Sequence, residues 1–172
     1  MPKKSLKHTK VSQTKNGIAV LEANSNGVSG VITFKEEPEK RRMKITYDIR
    51  GLSDGEHGFH IHQYGDLTNG CVSAGPHFNP FHNVHGGLDS PSTKRHLGDL
   101  GNITAKDSKS KGTLYAPHLR ITNGKTAVLG RMIVIHENRD DLGLGTGALR
   151  KESLLTGNAG KRLTCGIIGL TN

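Results

Sequence analysis

The chain has no tryptophan, only four phenylalanines and three tyrosines, and just two cysteines among 172 residues. So few rings exclude a core built on aromatics and leave valine, isoleucine and leucine to fill it. Two cysteines that form no CxxC exclude a cysteine zinc knuckle and a dithiol redox pair. In an intracellular chain such residues are ordinarily free thiols. No apolar run approaches the length of a membrane-spanning helix, and "MPKKSLKHTK" has no apolar core of a secretory signal. We therefore expect a cytoplasmic protein without a transmembrane segment. A sustained 3.6-residue period is also missing, which argues against a helical fold.

What the chain does have is glycine, 23 of them, and short apolar runs between turn residues. "KITYDIR" (44–50) alternates, with Ile45, Tyr47 and Ile49 on one face and charged or polar residues on the other. "AVLE" (19–22), "GVITFKE" (30–36), "AVLGRMIVIHE" (127–137) and "CGIIGL" (165–170) are similar runs. Repeated short strands with turn punctuation predict an all-β sandwich or barrel. Two stretches break the rhythm, residues 63–98 and 138–163. Long irregular loops in a compact domain are usually functional. Within the second, "ALRKESLL" suits one or two helical turns.

The formal charge is +9 and is unevenly spread. Residues 1–15 hold five lysines and no acid, so we expect a basic, disordered extension (1–15) before a domain spanning 16–172. The extension lacks aromatics and dense arginine, so nucleic acid and anionic membrane are not expected partners.

The ten histidines carry the chemistry. In a strand, "GFHIH" points His60 and His62 to the same face. Alone, that pair suits either a metal or two solvated imidazoles. The first long loop then adds His77, His85, His96 and Asp99, an acceptable closed set for tetrahedral zinc. His136 ends a strand-like run and can be brought beside His60 and His62, where imidazoles on rigid strands suit copper. For His8, His57, His82 and His118 an ordinary surface or core position is the better reading.

In these residues the chain resembles the copper/zinc superoxide dismutases. "GFHIHQYGDLT" resembles the family's first copper motif and "GNAGKRLTCGII" (157–168) its C-terminal signature. "CVSAGPHFNP", "HGG", "RHLGDLGN" and "VIHENRDDLG" match intervening blocks in the family's order, over roughly residues 16–172. The resemblance implies a Greek-key β-sandwich or flattened barrel with a metal-binding loop and a channel loop. It implies one copper per chain on His60, His62, His77 and His136, and one zinc on His77, His85, His96 and Asp99. His77 would bridge both as an imidazolate. Asp140 would hydrogen-bond His60 and His85, Cys71 and Cys165 would form a disulfide, and Arg162 would stand beside the copper.

The implied activity is dismutation of superoxide to dioxygen and hydrogen peroxide, in antioxidant defence. Thr156 and Lys151 would line the channel. The implied partners are a copper delivery factor and a second copy, through residues near Leu129, Gly130, Ile167, Ile168 and Leu170. Three departures stand out. The first is an insertion around "LDSPST" between His85 and His96; the second is in the channel loop, where Leu155 occupies the place of a common steering lysine and Lys151 that of a common acid. We expect Arg150 and Lys151 to restore the lost field. The third departure is the basic extension. The alternative reading is a metal-storing protein without catalysis.

Overall fold

Short alternating runs become strands because each has one face to bury and too little length to make a helix. In the computed structural model, which describes residues 15–23 and 25–172, ten such runs are extended. They are β1 (Asn16–Leu21), β2 (Ser29–Glu37), β3 (Arg42–Arg50), β4 (Gly55–His62) and β5 (Thr68–Cys71). After the first long loop come β6 (Asp99–Ala105), β7 (Lys109–Pro117), β8 (Met132–His136), β9 (Arg162–Ile167) and β10 (Gly169–Thr171). One helix, α1 (Arg150–Thr156), lies in the second long loop, where helical turns were expected.

All but β5 form two antiparallel sheets, ordered β10-β1-β2-β3-β7 and β6-β4-β8-β9. The chain crosses between them after β3, β6, β7 and β9, so the architecture is the expected β-sandwich rather than a closed barrel. Ile32, Phe34, Ile45 and Ile49 of the first sheet pack against Phe59, Ile61, Ile133 and Ile135 of the second. Burying each such side chain contributes roughly 1.5–3 kcal/mol before entropy is counted.

The second sheet departs from simple alternation. From His57 to His62 every residue of β4 is buried, as is every residue of β8. Phe59, Ile61, Ile133 and Ile135 face the core, while the opposite face is roofed by the two long loops. A sheet face that carries histidines is thus withdrawn from solvent.

Two runs are divided differently than their composition suggests. In 127–137 only Met132–His136 is a strand. Val128 and Leu129 instead hydrogen-bond to Arg120 and Ile121, and Gly130 turns at φ 74°. In 165–170 the chain leaves one sheet and enters the other, so β9 and β10 are separated at Ile168. Ile168 is completely buried, which removes it from the apolar surface expected there; Leu129, Ile167 and Leu170 do remain exposed. The structure begins one residue before β1, so the basic extension lies outside the described residues apart from Lys15, whose ammonium donates to Thr122 Oγ1.

Candidate metal centre

The register of β4 and β8 sets the first cluster. His60 pairs with Val134 and His62 with Met132, so His60, His62 and His136 share the outer face of the second sheet. The first loop then folds back along β4. Gln63 N–H donates to Pro76 O, and Phe78 N–H to Ile61 O, each at 2.8 Å, which sets His77 opposite His62. A bulge in β4 after Gly58 brings His60 level with Asp99 at the start of β6.

Two four-residue sets result, His60, His62, His77 and His136, and His77, His85, His96 and Asp99. Within each, one donor atom per residue lies within 4.8 Å of all the others, and all these residues are buried. His77 belongs to both. Its Nδ1 is 2.8 Å from Asp99 Oδ1, leaving Nε2 for the other set.

Hydrogen bonds identify which nitrogens carry lone pairs. A carbonyl only accepts, so His62 Nδ1 donates to Gly75 O at 2.8 Å and His136 Nδ1 to Gly160 O at 3.2 Å. Their Nε2 lone pairs then face each other at 3.3 Å, an arrangement that is repulsive without a cation between them. His60 Nε2 donates to Asp140 Oδ2 at 2.8 Å, and its buried Nδ1 has no hydrogen-bond partner. In the second set, Asp99 Oδ1 stands 2.8, 3.1 and 3.2 Å from the Nδ1 atoms of His77, His85 and His96. Its Oδ2 accepts the N–H groups of Gly86 and His96, which fixes the carboxylate plane. Convergent, otherwise unsatisfied imidazole nitrogens with one carboxylate oxygen fit two soft-to-borderline dications.

Asp140 joins the sets. Its second oxygen accepts His85 Nε2–H at 2.8 Å, and its own backbone is held by Asn102 on both sides. Ligating imidazoles oriented by a carboxylate are the usual support of a metal site. His57, read as an ordinary core histidine, is buried with its ring between His136 O and Ser53 O, at 2.8 and 2.9 Å. It braces the backbone of β8.

The electrostatics suit cation binding. Burial, then repulsion from His77, holds His60 and His62 well below the usual imidazole range, and burial takes His136 down to about 4. These rings are neutral at neutral pH. Burial would raise Asp99, but hydrogen bonds from His77, His85 and His96 hold it well below the carboxylate range. His85 goes the other way. Burial lowers it, but the carboxylates of Asp140 and Asp99 together outweigh that and raise it to about 9.

Above the first set lies a cavity of about 1140 Å³, reached by His62, His77 and His136 and lined also by Arg162 and Thr156. The Arg162 guanidinium donates to Cys71 O, Val72 O and Gly75 O at 2.6–3.0 Å. The disulfide Cys71–Cys165 ties that loop to β9. Lys151 is not among the lining residues and Arg150 is turned to Gly143 O; the lysine on the cavity is Lys125, which the sequence reading missed. Glu152 also lines it. No helix among the described residues is long and apolar enough to cross a membrane.

Comparison with known proteins agrees with this geometry. A family model described as copper/zinc superoxide dismutase matches residues 28–168. A protein of Onchocerca volvulus named "Superoxide dismutase (Cu-Zn)" is 49% identical over 156 residues, covering 90% of this chain and 96% of the relative. One of Saccharomyces cerevisiae with the same name is 49% identical over 158 residues, covering 90% and 97%. An "Extracellular superoxide dismutase (Cu-Zn)" of Brugia pahangi is 44% identical over 162 residues, covering 94% and 79%.

Proposed function

The chain belongs to the copper/zinc superoxide dismutase family, and from that premise we propose how its residues divide the work. The reaction consumes two superoxide ions and two protons and yields one dioxygen and one hydrogen peroxide. Copper and zinc are the cofactors. We assign copper to His60, His62, His77 and His136, and zinc to His77, His85, His96 and Asp99, with His77 shared as an imidazolate. When bound, copper supplies the one-electron relay, and zinc, with its filled d-shell, supplies charge alone.

Arg162 draws the anion into the cavity and orients it with donors that its carbonyl anchors leave over; a guanidinium keeps its charge at any working pH. Between the two half-reactions His77 Nε2 would take up a proton from solvent, and it would pass that proton to the superoxide that is being reduced. The second proton comes from solvent in the cavity. Asp140 keeps His60 and His85 oriented throughout, and the disulfide keeps the carbonyls that hold Arg162 in place.

The observation that carries this assignment is the membership of His77 in both donor sets beneath a cavity that also presents Arg162. Superoxide decay after pulsed generation, on protein with its copper and zinc stoichiometry verified, is the test. A second-order constant on the order of 10⁸–10⁹ M⁻¹s⁻¹ is expected for an encounter-limited enzyme. No acceleration with both metals bound would leave metal storage as the function.

We also propose a cytoplasmic homodimer assembled through the exposed Leu129, Ile167 and Leu170 around Gly130. Sedimentation velocity of the metal-loaded protein tests the assembly, and cell fractionation tests the location. A copper delivery factor as a further partner is tested by copper content in cells with and without added copper.

A further inference from the structure

Separated from the cavity by Asn83, which lines both, is a second concavity of about 520 Å³, lined also by Arg41, Arg95, Arg120, His118, Ser92 and Thr93. No residue lining it is acidic. We propose that this pocket is a binding site for a phosphate-class oxyanion carrying two or more negative charges.

Arg95 is the first observation. It is 1% exposed, and its Nη1 donates to the carbonyls of His96, Leu97 and Asp99 at 3.0–3.4 Å. Its Nε and Nη2 are buried and have no hydrogen-bond partner. Guanidinium N–H groups left unpaired inside a protein are costly, and an oxyanion in the pocket that Arg95 lines would supply the acceptors. The aspartates near Arg95, Asp89 and Asp99, do not fill that role. Asp99 is committed to three imidazoles, and neither Nε nor Nη2 is bonded to either carboxylate.

The second observation is the charge around it. Arg41 makes no ion pair among the described residues, and Arg120 has a single long one, 4.0 Å to Glu36 Oε2. The other oxygen of Glu36 is taken by the Ile121 N–H. Arg41 and His118 both have positive φ, 51° and 68°, and are joined by His118 N–H to Arg41 O at 3.0 Å. Non-glycine residues adopt that conformation at a cost, and here it sets both side chains on the same pocket. Three guanidinium forks match tetrahedral oxyanions in geometry as well as charge, and the volume is that of a small-molecule site. Ser92 and Thr93 add hydroxyl groups.

The test uses the zinc-loaded, copper(I)-loaded protein, which is diamagnetic, with pyrophosphate as the probe and backbone amide NMR as the readout. Saturable shifts at Ser92, Thr93, His118 and Arg120 are expected. The double variant Arg41→Glu/Arg120→Gln, which sets no second carboxylate beside Glu36, should weaken that binding by about tenfold or more while dismutase activity stays unchanged. Those positions are exposed or half-exposed, so the variant avoids the risk of unfolding that replacing Arg95 carries. The proposal is overturned if shifts appear only around Thr156 and Arg162, if chloride at equal ionic strength produces the same shifts, or if the double variant binds as well as the parent.

Discussion

Gly157 rests on Asp140 with no room for a side chain between them: a Cβ there would overlap Asp140 Oδ1 and His85 Nε2. Its φ of +70° is also the left-handed conformation that ends α1. Gly157→Ala should therefore push Asp140 off His85 and cost about 1–2 kcal/mol in backbone strain. Loss of an orienting partner typically lowers metal affinity by about 10–100-fold. Competition with a chromophoric chelator should show that loss for zinc; unchanged zinc affinity would mean that Asp140 does not orient His85.

Zinc uptake should release a proton. In the metal-free protein His85 titrates at about 9, so it is charged at pH 7 and its Nδ1 must lose a proton to bind a cation. Calorimetry of zinc binding at pH 7, repeated in buffers of different ionisation enthalpy, should give about one proton released per zinc. That number should fall toward zero at pH 10. Release that does not change with pH would contradict the charged state assigned to His85.

The same shifts give metal-free protein a stability maximum near the ordinary histidine value of 6.5. His136 titrates at about 4 when folded, so between 6.5 and 4 the unfolded chain binds more protons and stability falls as pH drops. His85 stays protonated up to about 9 when folded, so above 6.5 the folded chain binds more protons and stability falls as pH rises. Thermal melts of chelator-treated protein from pH 4 to 10 should trace this dome. With zinc bound the alkaline arm should disappear.

The disulfide spans 94 residues and ties down the loop whose carbonyls hold Arg162. The pair Cys71→Ser/Cys165→Ser should lose about 2–5 kcal/mol of stability. Its second-order rate should also fall while both metals stay bound, because Arg162 loses fixed acceptors. Denaturant unfolding together with metal analysis separates the two effects. A destabilised variant with full activity would limit the bridge to stability.

Which features were legible in the sequence follows from the distance over which each is encoded. The period of two in "GFHIH" puts His60 and His62 on one face, and strand register alone then sets His136 beside them. The channel segment is helical, so a period of two does not order its side chains. Glu152, Leu154, Leu155 and Thr156 of α1 line the cavity, whereas the exposed Lys151, one turn before Leu155, is not part of its wall. Lys125 and the arginine pocket were invisible for a different reason. Lys125 reaches the cavity from a turn far along the chain, and Arg41, Arg95 and Arg120 come from three separate segments with no shared spacing. Ile168 looked like surface because nothing in "CGIIGL" marks the point where the chain changes sheets.

The cavity wall offers the last test, because it lacks a cation at a place that can hold one. Leu155 is 54% exposed and lines the cavity, as does Thr156. Glu152 lines it too, and attracts no anion. A lysine at 155 adds positive charge near the path to Arg162, and steering of an anion by such charge is an ionic-strength-dependent rate effect. Leu155→Lys should raise the second-order constant at low salt by about two- to threefold and converge on the parent near 1 M, where the Debye length is about 3 Å. Leu155→Gln, which removes the apolar side chain without adding charge, should leave the low-salt rate within about 1.5-fold. Equal gains from lysine and glutamine would assign the effect to access rather than to the field, and no gain from either would place the rate limit beyond encounter.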